Sequence, residues 1–258
     1  MTNSIAGKAT ALRQLHAGPG MLVLPNAWDA ASAKVLEAAG FPAIATTSGG
    51  VANALGYEDH QGAPASEMLE AAARISSAVS IPVTVDFEAG YGMAPDEIVE
   101  RLIEVGAAGF NFEDSDHVNG PGLIDAEAQA ERIAALKDAG RAAGVDLVLN
   151  ARVDVYIQRQ GTPEEQTAEG LRRALLYKDA GADCIYPIIQ ADEAILARYV
   201  AAVGAINVNL RPGGPLTLQR AAVVGVRRVS YATSLFRAAM TALEQAAAEI
   251  QAEAAVLP

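Results

Sequence analysis

Short apolar runs of four to six residues alternate with longer, Ala-rich stretches in which apolar residues recur at helical spacing, from one end of the chain to the other. The runs predict eight strands, at Met21–Pro25, Ala43–Thr47, Val83–Asp86, Gly109–Glu113, Leu147–Arg152, Cys184–Pro187, Ile206–Asn209 and Arg228–Tyr231. Amphipathic helices are predicted between them, at Asp29–Ala39, Ser66–Ala78, Pro95–Val105, Ala126–Ala143, Pro163–Ala180 and Glu193–Val203. Gly40, Gly106, Gly144, Gly181 and Gly204 close several of these in the position of a left-handed C-terminal cap. Strict strand-then-helix order, with no Pro/Ser-rich linker or shift in composition, points to an α/β fold: a single (β/α)8 TIM-type barrel domain over residues 1–258. An extra helix, Thr2–Leu15, precedes the first strand. A long one, Ser234–Ala255, closes the series with Leu235, Ala239, Leu243, Ala246 and Ile250 on one face. An open doubly wound sheet is disfavoured because no G-x-G-x-x-G follows an early strand; Gly90-Tyr91-Gly92 lacks the third glycine.

Composition narrows the function. A chain of 258 residues buries roughly three quarters of its unfolded surface and is a typical length for one barrel. The net charge of −12 repels nucleic acid and anionic membranes. Arg172-Arg173 and Arg227-Arg228 are too short to track phosphates and read as solvated positions. Neither nucleic acid nor membrane is expected as a partner. The first twenty residues carry Lys8, Arg13 and His16 without an apolar signal region, so a cytoplasmic enzyme is expected. One cysteine excludes an internal disulfide or a multi-cysteine zinc site, and Cys184, inside an apolar run, reads as a buried core residue. His16, His60 and His117 show no paired-ligand spacing, and only His117 lies near the acidic cluster.

That cluster holds the candidate chemistry. Three predicted strands finish in charged groups: Asp86-Phe87-Glu88, Glu113-Asp114 and Arg152-Val153-Asp154. Such an array at strand ends is the layout of an active site at the C-terminal mouth of a barrel. In extended backbone Asp86 and Glu88 project together. With Glu113 they offer oxygen ligands only, which suits Mg2+ or Mn2+ better than zinc. Crowded like charges call for a cation. Asp114, Asp116 and Asp154 serve equally well as helix caps or ion-pair partners, and Arg152 has the same alternative, an ion pair with Asp154 or a carboxylate at the mouth. Tyr91 and Trp28 suit the wall of a pocket.

These segments together resemble the isocitrate lyase/phosphoenolpyruvate mutase superfamily, and its smaller phosphonomutase-like members in particular. The likeness runs from Leu24-Pro-Asn-Ala-Trp-Asp29 to Arg228-Val-Ser230. Asp86-Phe87-Glu88-Ala89-Gly90-Tyr91-Gly92 stands where the family has D-x-D-T-G-Y-G. Glu113-Asp114 matches its E-D pair, and Ala151-Arg152-Val153-Asp154 its A-R-x-D. Thr47-Ser48-Gly49-Gly50 matches its S-G turn, and Leu55-Gly56-Tyr57-Glu58-Asp59 a segment whose last aspartate faces substrate. The resemblance implies that Asp86 ligates Mg2+ or Mn2+, with Glu88 and Glu113 acting directly or through water. It implies that Ser48, Gly49 and Gly50 hold the carboxylate of a 2-oxo acid and that Arg152 stabilises the enolate. Asn209 would contact the distal part of the substrate, Asp59 would position metal waters or substrate, and Tyr91 would line the pocket. A homo-oligomer, a dimer of swapped pairs or a tetramer that exchanges its last helix, is implied as well.

Three departures bear on the reaction. Glu88 replaces the family's second Asp, and Ala89 replaces its Thr. The lyase loop K-K-C-G-H is absent: this chain reads Ser115-Asp-His-Val-Asn-Gly-Pro-Gly-Leu123, with Asn119 a faint echo of the mutase loop. In the absence of the cysteine acid, His117 is the candidate proton donor, because its ordinary pKa lies near neutrality; a plain surface-loop histidine is the alternative. The expected activity is Mg2+-dependent lyase or decarboxylase chemistry on a small 2-oxo or 2-hydroxy (di)carboxylic acid through a pyruvate-like enolate. C–P phosphonomutase or phosphonopyruvate hydrolase chemistry is the alternative, and a non-catalytic 2-oxo-acid binding protein a third.

Overall fold

A computed structural model describes residues 4–120 and 122–257. Nine parallel strands form the core: β1 (Leu22–Leu24), β2 (Asn26–Ala27), β3 (Ile44–Thr46), β4 (Val83–Asp86), β5 (Gly109–Glu113), β6 (Val148–Val153), β7 (Cys184–Pro187), β8 (Asn207–Asn209) and β9 (Arg228–Ser230). Six pair in the order β2-β3-β4-β5-β6-β7 and three in the order β1-β9-β8. Two features join these sheets into one ring. The isolated bridge Ile185↔Ile206 links the β7 side to the β8 side. The first stave runs two residues past the predicted end at Pro25, which splits it into β1, paired with the last strand, and β2, paired with β3. Proline lacks the ladder N–H, but its carbonyl still accepts from Ala45 N at 3.0 Å. The result is a closed TIM-type barrel of eight staves.

The helices are α1 (Ile5–Ala17), α2 (Ala30–Ala38), α3 (Ser48–Leu55), α4 (Ala65–Ala78), α5 (Pro95–Glu104), α6 (Ala126–Ala142), α7 (Val155–Gln158), α8 (Pro163–Asp179), α9 (Glu193–Val203), α10 (Leu218–Val224) and α11 (Ser234–Ala254). The predicted helix Thr2–Leu15 is α1, which starts three residues later and ends two later; the first two predicted positions lie outside the described residues. Ser4 caps it, its hydroxyl accepting from Gly7 N. Leu12 of α1 is fully buried among Leu22, Leu24, Ala43, Ala45, Ala108 and Val148, so the helix plugs the N-terminal end of the barrel. Arg13 ties it there through Asp146 and Asp183, and buried Lys137 bonds the same two carboxylates.

Alternation along the strands sets the mouth apart from the walls. Val85, Phe110, Phe112, Leu149, Ala151, Val153 and Ile185 face the helices and belong to one apolar core with Ile98, Leu102, Ile133 and Leu136. The opposite faces of the barrel strands carry polar groups, among them Asn111 of β5, Asn150 of β6, Asn207 of β8 and Arg228 of β9, all buried. The expectation of solvated arginine pairs therefore needs correction. Arg173 is 6% exposed and Arg228 1%, because strand and helix geometry turn each inward while its neighbour faces out. Among the described residues, no helix is long and apolar enough to cross a membrane.

Candidate active site

The Thr47–Gly50 segment, predicted as a turn, is the start of α3. Thr47 caps it, its hydroxyl accepting from Gly50 N at 3.4 Å, and this local bond gives Ser-Gly-Gly a helical start that apolar periodicity did not signal. The N–H of Ser48 is not free either: it donates to Asp86 Oδ2 at 3.0 Å. Gly49 has a steric role. A Cβ there would lie 2.5 Å from Asp59 Oδ2, so the missing side chain lets the Asp59 carboxylate rest against the helix start.

Asp86 ends β4, and its second oxygen accepts from Asn111 Nδ2 at 3.3 Å. Glu88 reaches the same region by a different route from the strand alternation predicted for it. It sits beyond the strand in left-handed backbone, φ 48°, and Tyr91 follows at φ 53°. Such conformations are strained for residues with a side chain and cluster at functional turns. The carbonyl of Glu88 accepts from Glu113 N at 3.0 Å, which binds this turn to the end of β5.

Glu113 is the centre of the charge network. Arg152 Nη2 lies 2.7 Å from its Oε2, and His117 Nε2 lies 2.7 Å from its Oε1. Arg152 also grips Asp154 with Nε and Nη2, each at 2.7 Å, so the ion pair that the sequence offered as an alternative is present. Burial alone would lower the Arg152 pKa, but the Asp154 and Glu113 carboxylates outweigh it and hold the guanidinium charged. Behind it, Ser115 donates to Asp154 Oδ2 at 2.6 Å. Asp114, meanwhile, accepts from Asp154 N, Arg173 and Tyr177. Asp114 and Asp154 are thus the ion-pair partners that the sequence left open. Ser115, Arg173 and Tyr177 were not foreseen, since no local motif marks them.

The remaining candidates divide. His117 stacks on His60 with ring centroids 6.0 Å apart, bringing the Asp116–Asn119 loop against the Asp59–Gln61 loop over the carboxylates. The hydrogen bond to Glu113 raises the His117 pKa, against burial. Asn119 is turned inward on its own loop, donating to Asp116. Tyr91 packs on Phe87 at 5.2 Å, its hydroxyl buried and unpartnered. Asn209 lies elsewhere: its Oδ1 accepts from Ile189 N, and it lines a separate recess of about 370 Å³ with Arg159 and Arg211. Cys184 is buried and its thiol is pushed up to about 12 by burial, so it is an inert core residue.

The donor set fits a hard divalent cation. Burial, then Glu113, Asp86 and Asp59, push Glu88 up to about 8, and its buried Oε2 has no hydrogen-bond partner. Burial likewise pushes Glu113 up to about 7, against the pull of Arg152. The mouth therefore holds more carboxylate than the Arg152 guanidinium balances, the condition that a cation relieves. Among the described residues no three acidic, histidine or cysteine side chains converge as a ready-made ligand shell.

The family model for phosphoenolpyruvate phosphomutase matches residues 12–251. The chain belongs to this family. Members of the phosphoenolpyruvate mutase/isocitrate lyase superfamily are lyases and mutases of small acids, and this chain is an enzyme of that group. An uncharacterized protein of Mycobacterium tuberculosis is 36% identical over 233 residues, 90% of this chain and 86% of its own. A Burkholderia cenocepacia J2315 structure, described as a lyase/mutase, superimposes with TM-score 0.88 at 37% identity, covering 96% of this chain and 89% of that one. Oxaloacetate acetylhydrolase in complex with its product oxalate superimposes with TM-score 0.85 at 25% identity, covering 96% and 88%. In this phosphoenolpyruvate mutase relative the loop after β5 is closed at its base by an antiparallel bridge, Ser115↔Leu123. Asp116 N donates to Gly122 O and Ile124 N to Asp114 O at the same place. The loop thus presents His117, in place of lysine or cysteine, to the carboxylates.

Proposed function

We propose that this protein is a Mg2+-dependent enzyme that breaks a C–C bond in a small 2-oxo or 2-hydroxy diacid, with oxaloacetate-like acids favoured, through a pyruvate-like enolate. The observation that carries the reading is the buried Glu113 carboxylate, held between the Arg152 guanidinium and His117, each at 2.7 Å, beside Asp86 and Glu88. Asp86 would hold the ion, with Glu88 and Glu113 acting through intervening water. A divalent cation bound there supplies Lewis-acid stabilisation of negative charge growing on the substrate's 2-oxygen.

The protein groups supply the rest. Arg152, charged and fixed by Asp154, offers its donors to the oxygens of the substrate. In decarboxylation of a 2-oxo diacid the C3–C4 bond breaks, its electron pair becomes the C2–C3 double bond of the enolate, and carbon dioxide departs. A proton must then reach C3. His117, whose pKa is raised by Glu113, would hold and deliver it. The His60–His117 stack supports exclusion of water during that step.

The family name favours a second reading, C–P bond chemistry on phosphonopyruvate or phosphoenolpyruvate. Proton and phosphorus NMR with oxaloacetate, 2-methylisocitrate, dimethylmalate and phosphonopyruvate, each with Mg2+ and with EDTA, separates the readings. Metal-dependent pyruvate from a carbon substrate is expected. Phosphorus turnover alone would establish the second reading, and binding without product would point to a 2-oxo-acid binding protein.

A further inference from the structure

The barrel interior beneath Asp86 holds a polar core where bulky apolar layers are usual. Arg228, on the inward face of β9, is 1% exposed, and among the described residues no carboxylate lies within ion-pair distance of it. Its Nε and Nη1 are unpartnered, and its Nη2 donates to Asn111 Oδ1 at 3.2 Å. The same oxygen accepts from Asn150 Nδ2 at 2.8 Å. The Asn111 amide nitrogen donates onward to Asp86 Oδ1 at 3.3 Å.

A buried guanidinium without a counter-ion is costly, and what remains is the hydrogen bond it makes to Asn111. Its chemistry here dictates an orientation. Arginine has donors only and an ionised carboxylate has acceptors only, so an amide bridging the two fits one way round. The reverse would set N–H against N–H at Arg228 and oxygen against oxygen at Asp86. With Asn111 on Oδ1 and Ser48 N on Oδ2 at 3.0 Å, both oxygens of Asp86 are anchored and its plane is fixed. Each oxygen keeps a further lone pair for a cation.

We infer that Arg228 is a positioning residue for metal binding: through Asn111 it fixes the rotamer of Asp86. The inference rests on the assignment of Asp86 as the metal-holding carboxylate. It has a sign that a purely Coulombic role lacks. Removing a nearby positive charge would tighten cation binding, whereas releasing Asp86 from a fixed geometry weakens it, by about tenfold at the lower end for partners behind metal ligands.

The test is Mn2+ affinity, read from the free-ion EPR signal at fixed pH, for wild type, Asp86→Asn, Arg228→Met, Asn111→Leu and the Arg228→Met/Asn111→Leu double variant. Circular dichroism melts verify that each is folded. Asp86→Asn should abolish binding. Arg228→Met and Asn111→Leu should each weaken it about tenfold, and the double variant no more than either, because both cut one chain. Unchanged or tighter binding in Arg228→Met, or losses that add in the double variant, overturns the inference while leaving Asp86 as ligand. Wild-type affinity in Asp86→Asn overturns the ligand assignment and the inference with it. If Arg228→Met does not fold, Asn150→Val, which removes the other donor to Asn111 Oδ1, carries the same expectation and the same refutation.

Discussion

Arg152 joins two carboxylates that a substitution would strand. Arg152→Ala leaves Asp154 buried without its counter-ion and Glu113 with His117 alone, a change that typically costs about 3–5 kcal/mol of stability. Activity loss in that variant would mix catalysis with folding. Arg152→Lys separates them, since it keeps the charge but loses the planar fork. We expect kcat to fall roughly a hundredfold with a melting temperature within about 5 °C of wild type. Near-wild-type turnover would remove Arg152 from the mechanism. At this scale the sequence revealed the charged mouth, because Asp86, Glu113 and Arg152 terminate apolar runs. It hid the supports. Asn111 and Arg228 sit inside runs that read as strand or surface, and only the closure of the ring shows that they face each other.

The elements were largely legible. Gly109–Glu113, Val83–Asp86 and Cys184–Pro187 are observed with the boundaries that their apolar content predicts. All five cap glycines have positive φ, from 70° to 102°. Missing from the sequence reading were α3, α7 and α10, of which α7 and α10 are too short, at four and seven residues, to show helical periodicity. The plugging helix α1 carries a pH dependence of its own. Burial, then Arg228 and Arg13, lower the His16 pKa from 6.5 to about 3, and its Nε2 is buried without a partner. The unfolded chain therefore binds a proton that the folded chain refuses between those values. The contribution of His16 is complete above about pH 6.5 and is lost as pH falls toward 3. Urea unfolding at pH 7, 5.5 and 4.5 should show wild type losing more stability on acidification than His16→Leu. Equal losses in both would mean that His16 does not stay neutral in the fold.

In the whole molecule, α11 is the anomaly. The sequence placed it as the last helix of the barrel, with an apolar face to bury, yet none of its 21 residues is buried within the chain. Met240 is 37% exposed, Leu243 60% and Ile250 68%, an apolar face longer than a soluble monomer normally shows to water. Its start is anchored: Phe236 meets Trp28 edge-on at 5.5 Å, and Thr233 shares a hydrogen bond with Thr47 at 3.1 Å. A helix that is fixed at its root and bare along its length fits exchange with a second copy, the homo-oligomer implied by the family resemblance. Its root touches the residues that start α3 beside Asp86, so an assembly made through α11 would be mechanically joined to the site. Light scattering on wild type should give a mass that is a multiple of the 26.7 kDa chain. Leu243→Glu/Ile250→Glu should lower that mass while circular dichroism still shows a folded barrel, and turnover should fall with it. A monomeric wild type, or an unchanged mass in the variant, would show that α11 does not hold the assembly together.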